Sequence, residues 1–201
     1  MTPEQLRRLF SLPPLATAVA ADLVPAAVLA PLFFQGAALQ VLFTQRTDTV
    51  KDHQGQISFP GGIQAPQDNG FLATALREAQ EEIGLQPEAV EVLGDLPPIS
   101  TVTGYQIYSF VGLIPFPYDF KINHYEVDRL IILPVMPLLD PGRWSVRPYE
   151  WQGQTKSAFF CQYQDVTVWG ATARILIEIL TRLEPGFEVR LDQLRKKNGI
   201  S

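Results

Sequence analysis

Apolar and polar positions along the chain alternate with two different periods, and these divide it into strands and helices. Residues 26–32 and 37–44 are nearly continuous apolar runs separated by Gln35-Gly36, which predicts two strands joined as a hairpin. A polar loop follows over 45–56, then a short strand at 57–59 that stops at Pro60-Gly61-Gly62. Beyond it the period becomes helical. Leu72, Leu76, Ala79 and Ile83 form one stripe, Asp68 or Asn69 is placed to cap the start, and Gly84 to end it. Strands are predicted at 90–96 and 105–113, separated by the Pro97-Pro98 and Thr103-Gly104 breaks, with a loop over 116–125. Residues 127–139 are ambiguous and read as a turn or helix running into an irregular segment at 134–137. Late strands are predicted at 147–151 and 157–163 around Gly153, then an amphipathic helix at 167–182 with Ala171, Ile175, Ile179 and Leu180 inward. At the start, Thr2 caps a short helix to Phe10 with Pro3 in its first turn, and a proline-rich connector follows over 11–15. Strands grouped around two main helices make an α/β sandwich with a mixed sheet.

The central helix carries the chemistry. Glu78, Glu81 and Glu82 fall within an arc of about 100° well away from the apolar stripe. Like charges at this spacing repel, and Arg77 is the only cation beside them. Hard Mg²⁺ or Mn²⁺ removes that repulsion, because these ions take carboxylate oxygens and keep waters for substrate phosphates. Taken alone, the string Arg77–Gly84 equally describes an acidic solvated face.

Composition narrows the alternatives. A chain of 201 residues with 46% hydrophobic content is expected to form one main domain over 21–183, with an N-terminal helix and connector over 1–20 and a charged tail over 184–201. The net charge of −5 argues against an extended nucleic-acid surface. Cys161 is the only cysteine, which excludes an internal disulfide, and its apolar neighbours make it a buried thiol. Glu4, Arg7 and Arg8 interrupt any signal peptide, and the apolar run 23–34 is too short and too proline-rich to span a membrane, so a cytoplasmic location is expected.

From Gly62 to Leu85 the chain resembles the box of the Nudix hydrolases, with Arg77-Glu78-Ala79-Gln80-Glu81-Glu82-Ile83-Gly84-Leu85 matching its second half. Fourteen residues separate Gly62 from Arg77, one more than usual, and no Glu fills the early position, where Asp68 is the nearest acid. That extra residue is similar to the coenzyme A diphosphatase branch. So is the preceding run Leu42-Phe43-Thr44-Gln45-Arg46-Thr47-Asp48-Thr49-Val50-Lys51-Asp52-His53-Gln54-Gly55-Gln56-Ile57-Ser58-Phe59-Pro60-Gly61-Gly62, as is the stretch 168–176. After the two glycines this chain has Ile63-Gln64-Ala65 where the branch carries a charged residue.

The resemblance implies a Nudix-type α/β/α sandwich, a soluble homodimer, and Mg²⁺- or Mn²⁺-dependent hydrolysis of coenzyme A or its thioesters to 3′,5′-ADP and 4′-phosphopantetheine. Glu78 and Glu82 are the expected metal ligands, with Glu81 and the Gly62 carbonyl as further ligands and Arg77 orienting the carboxylates. The general base is Glu81 or the loop acid Glu126. Arg46, Lys51, His53, Gln56 and Ser58 are the substrate-binding candidates, His53 with a structural hydrogen-bonding role as its alternative. His124 reads as solvated, and Trp144, Tyr149, Trp151 and Trp169 as core rather than adenine-stacking residues. Other substrates, namely ADP-ribose, NADH or a nucleoside triphosphate, stay open, as does a non-catalytic nucleotide-binding module. The three intact glutamates count against the last.

Overall fold

The computed structural model describes residues 1–11, 22–47 and 55–197. Helix α1 spans Pro3–Phe10, and Thr2 and Gln5 cap it reciprocally, each side chain bonded to the other's backbone N–H. Strands β1 (Val24–Gln35) and β2 (Ala38–Arg46) form the expected hairpin. Its turn places Gly36 at a φ of 63°, a conformation glycine adopts without steric cost.

The hairpin strands stay paired only from Leu32↔Val41 to Gln35↔Ala38 and then splay into a fork. Strand β3 (Ile57–Ser58) fills the fork against β2, and β4 (Gly61–Ile63) fills it against β1. Between them the Pro60 carbonyl accepts the Leu29 N–H at 2.9 Å. Two residues further along β1, the nitrogen of Pro31 faces the same way into the gap, where no ladder partner is needed. This is how a proline is accommodated in a central strand.

Helix α2 (Phe71–Ile83) leads into β5 (Glu91–Ser100) and β6 (Tyr105–Leu113). Strand β6 lies parallel to β1 and antiparallel to β5, so the main sheet is mixed. The next strand, β7 (Val127–Pro134), pairs antiparallel with β2 and is followed by the short helix α3 (Val135–Leu138). A second, three-stranded antiparallel sheet holds β8 (Trp144–Trp151), β9 (Gln154–Tyr163) and β10 (Val166–Trp169). Helices α4 (Gly170–Leu183) and α5 (Phe187–Lys197) complete the described residues.

Strand alternation sends β1 side chains to two cores. Ala27, Leu29 and Phe33 face α2, where they pack with Ala75, Ala79 and Ile83, and Phe71 stacks on Tyr108 with ring centroids 3.7 Å apart. Ala30 and Leu32 face the opposite layer, where α1, α4, α5 and the small sheet meet. The fold is therefore the α/β sandwich expected, and no described helix is long and apolar enough to cross a membrane.

Several boundaries differ from the sequence expectation. Residues 127–134 are a strand, because the short run Leu130–Leu133 carries no period that distinguishes helix from strand and β2 offers an open edge. Pro97-Pro98 do not end β5. They sit at a register shift between Leu96 and Ile99 on an edge strand, where missing N–H groups are tolerated. The β-branched and aromatic stretch 166–169 pairs with β9, so the helix starts at Gly170 rather than at 167. The charged stretch after Glu184 forms α5, anchored by buried Phe187 and Leu191. Cys161 is buried as expected, and burial pushes its thiol up to about 12.

Candidate active site

The start of α2 is held by a side-chain clamp rather than by the expected Asp68 or Asn69 cap. Its capping position is Gly70, at a φ of 88°, with no side-chain hydrogen bond. The Asp68 carboxylate instead accepts the Ala65 N–H at 2.9 Å, the Thr74 hydroxyl at 2.9 Å, and the Arg77 fork through Nε at 2.9 Å and Nη2 at 3.0 Å. The Arg77 guanidinium holds this carboxyl well below the usual carboxylate range. Arg77 also reaches Glu78 at 2.8 Å and Glu81 at 2.9 Å through Nη1. It is therefore a bracket between the loop and the glutamates.

The three glutamates do not share one solvent-facing arc. Glu81 is exposed, whereas Glu82 is 3% exposed because the β3–β4 segment, folded back into the fork, covers it. Burial pushes the Glu82 carboxyl up to about 8, opposed by Arg46 and by a backbone hydrogen bond from Gly61. Burial likewise raises the Glu78 carboxyl. Gly62 lies so close to Glu78 that a Cβ there would stand 2.5 Å from its carboxylate, which would then have to shift. The apolar stripe is turned from the expected one, with Ala75, Ala79 and Ile83 buried and Leu76 only partly so.

Arg46, at the end of β2, points to the same side as Glu82, with Nη1 3.9 Å from its Oε1. Among the described residues, the Nε of Arg46 and the Oε2 of Glu82 are both buried without a hydrogen-bond partner. Glu126 arrives from the loop before β7. That loop is tied to the end of α2 by the Lys121 N–H on the Ile83 carbonyl and the Asn123 N–H on the Glu82 carbonyl, both at 2.9 Å. Asn123 Nδ2 donates to Glu126 at 3.2 Å, and the Glu126 charge acts on both Glu78 and Glu82. The structure thus brings Glu78, Glu81, Glu82, Gly62, Arg77, Arg46 and Glu126 into one neighbourhood.

Gln56 and Ser58 lie at its border, with the Gln56 carbonyl accepting the Arg46 N–H at 3.0 Å and Ser58 Oγ 3.3 Å from the Thr44 hydroxyl. Lys51 and His53 lie outside the described residues. His124 is exposed, as expected. Trp144 belongs to the core, but Trp169 lines a cavity, which corrects its assignment as a core residue. Sequence reasoning gave no role to Asn123 and did not foresee Asp68 as the anchor of Arg77. The signal for Asp68 was an acid standing close to where the box normally carries its early Glu.

Among the described residues no three His, Cys, Asp or Glu side chains converge as they stand on a metal position, since Arg77 draws Glu78 and Glu81 to itself. The donor set nonetheless fits a hard divalent cation. It offers carboxylate oxygens, one of them on Glu82 buried and unpartnered, beside the close backbone of Gly62.

Comparison with known proteins adds a family. The NUDIX domain family model matches residues 24–131. Proteins described as "Uncharacterized Nudix hydrolase NudL" from Klebsiella pneumoniae subsp. pneumoniae and Salmonella newport are each 38% identical over 143 residues, 71% of this chain and 74% of theirs. Among solved structures, a MutT/nudix family protein from Enterococcus faecalis superposes over 92% of this chain and 71% of its own, with a TM-score of 0.54 and 16% identity, a likeness of fold alone.

Proposed function

The chain belongs to the Nudix hydrolase family, and from that premise we propose that it cleaves the diphosphate of coenzyme A, or of its thioesters. The products are 3′,5′-ADP and 4′-phosphopantetheine or its acyl form. One observation carries the choice of substrate: the run from Arg46 to Gly62 that resembles the coenzyme A branch has both ends in the site, Arg46 beside Glu82 and Gly62 against Glu78.

Glu78 and Glu82, with Glu81 and the Gly62 carbonyl, would hold Mg²⁺ or Mn²⁺. Such an ion supplies charge neutralisation on the diphosphate and a more acidic water. Arg77 keeps Glu78 and Glu81 oriented from a fixed base on Asp68. The fork of Arg46 suits a diphosphate oxygen, which would give its unpartnered Nε an acceptor. Glu126 takes the proton of the attacking water, with Glu81 as the alternative base. Gln56 and Ser58 supply further donors at the border of the site.

The test is a substrate panel on the full chain with Mg²⁺, products separated by chromatography. Coenzyme A is expected to yield 3′,5′-ADP. Absence of that product together with rapid turnover of ADP-ribose overturns the substrate, and no turnover of any diphosphate favours a binding module instead.

A further inference from the structure

A cavity of about 500 Å³ lies between the end of the β2–β3 pair and the outer face of the small sheet. Its size is in the range of nucleotide-sized sites. The main sheet contributes Gln45 with its register neighbours Ile57 and Arg129, and the small sheet contributes Phe160 and Trp169, themselves register partners. On β2 the side chains alternate, so Gln45 faces away from Arg46 and the glutamates. The two sites meet at Gln56, which lines the cavity and whose carbonyl holds the Arg46 N–H. We propose that this cavity is the subsite for the nucleoside end of the substrate, taking a heteroaromatic base against Trp169 and an attached phosphate on Arg129.

Three features point to that ligand. First, the aromatic residues form a platform rather than core: Phe160 and Trp169 stack with centroids 5.5 Å apart and planes 4° from parallel. The alternate residues Cys161 and Val168 take the buried face of the same sheet. Arg147 lies over the Phe160 ring at 5.0 Å, and Tyr149 meets Trp169 edge-on, so the platform is stiffened on two sides. Second, Arg129 carries a cation into the cavity in a chain of net charge −5. Its Nε donates to Gln45 at 2.8 Å, and among the described residues it has no carboxylate partner. Third, Gln45, Gln56 and Asp165 line the same space with amide and carboxylate groups that match the polar edge of an amino-bearing base. A simple packing void would be lined by apolar groups.

The inference rests on the hydrolase reading only for which nucleotide occupies the cavity. It is tested by calorimetric titration of the full chain with 3′,5′-ADP and, separately, with 4′-phosphopantetheine, using wild type, Trp169→Ala and Arg129→Ala. Trp169→Ala is expected to weaken 3′,5′-ADP about tenfold or more, the size of one lost base stack. Arg129→Ala is expected to weaken it several-fold, and to leave binding of adenosine itself unchanged. Neither variant changes the affinity for 4′-phosphopantetheine. Arg129 is exposed, so its variant keeps the test decisive if Trp169→Ala fails to fold. Unchanged 3′,5′-ADP affinity in the folded variants overturns the proposal, as does a loss confined to 4′-phosphopantetheine. A changed elution volume with unchanged 3′,5′-ADP affinity also overturns it, marking Trp169 as a subunit contact. Failure of coenzyme A turnover alone overturns the proposed reaction and leaves this subsite standing.

Discussion

Arg77 with Asp68 and Arg46 with Glu82 are two arginine–carboxylate pairs anchored on the same helix, and they are built in opposite ways. In the first, the fork and the carboxylate meet at 2.9 and 3.0 Å, and a backbone N–H and a hydroxyl fill the remaining lone pairs. In the second, guanidinium and carboxyl stand 3.9 Å apart, and a buried atom on each side has no partner among the described residues. A closed pair holds the loop and helix together. An open pair leaves desolvated groups that an incoming ligand can partner, and a buried group without a partner is unfavourable until one arrives. Under the proposed function the difference separates scaffold from working surface, although both are written with the same residue types.

The comparison breaks most sharply at Glu82. Glu82→Gln is expected to lower the hydrolysis rate about 100-fold or more, a larger loss than changes behind a metal ligand usually bring. The urea midpoint stays at or above that of wild type, because a buried carboxyl is replaced by a neutral amide; rate assays and urea melts on one preparation check both halves. Asp68→Asn should do the reverse. It leaves Arg77 facing an amide, and about 2–3 kcal/mol of stability is expected to go.

The same variant tests the pH dependence. The Asp68 carboxyl is held low chiefly by Arg77, so its stabilisation is present above the unfolded value of about 4 and is lost as pH falls toward the folded value. Wild type should therefore lose stability below about pH 4 more steeply than Asp68→Asn, as read from urea midpoints across that range. A smaller effect is expected from Arg46→Lys, which keeps the charge and loses the fork: about tenfold in rate with an unchanged melt. The smallest belongs to a third pair, Arg7 with Glu91, bidentate but exposed on both sides. Glu91→Gln should leave the urea midpoint where it was, since solvent screens such pairs. A large shift there would mean that hydrogen-bond geometry rather than burial divides the two kinds of pair.

Local chemistry made much of this legible in sequence. Gly36, Gly84 and the Thr2 cap announced their turns and ends because each acts within a few residues. Arg77 forms ion pairs with Glu78 and Glu81, its neighbours on the helix. What stayed hidden depended on distant partners. The burial of Glu82 depends on the β3–β4 segment returning to the fork. The strand at Val127–Pro134 depends on a free edge of β2. The cavity at Trp169 gathers residues from five separate strands. Periodicity in a window of a dozen residues carries none of these.

The tether at Lys121 and Asn123 has a bearing on how the chain can vary. Glu126 is measured off from the last turn of α2, not from the end of β6, because the connecting segment is pinned again at Tyr118, whose hydroxyl bonds the Gly84 carbonyl and the Gln86 N–H. A change of length near Pro115 is expected to disturb the Phe116 stack on Phe33 but to stop at that second anchor. The segment can change length over evolution, or accept an engineered insertion, while the acid at its far end keeps its address.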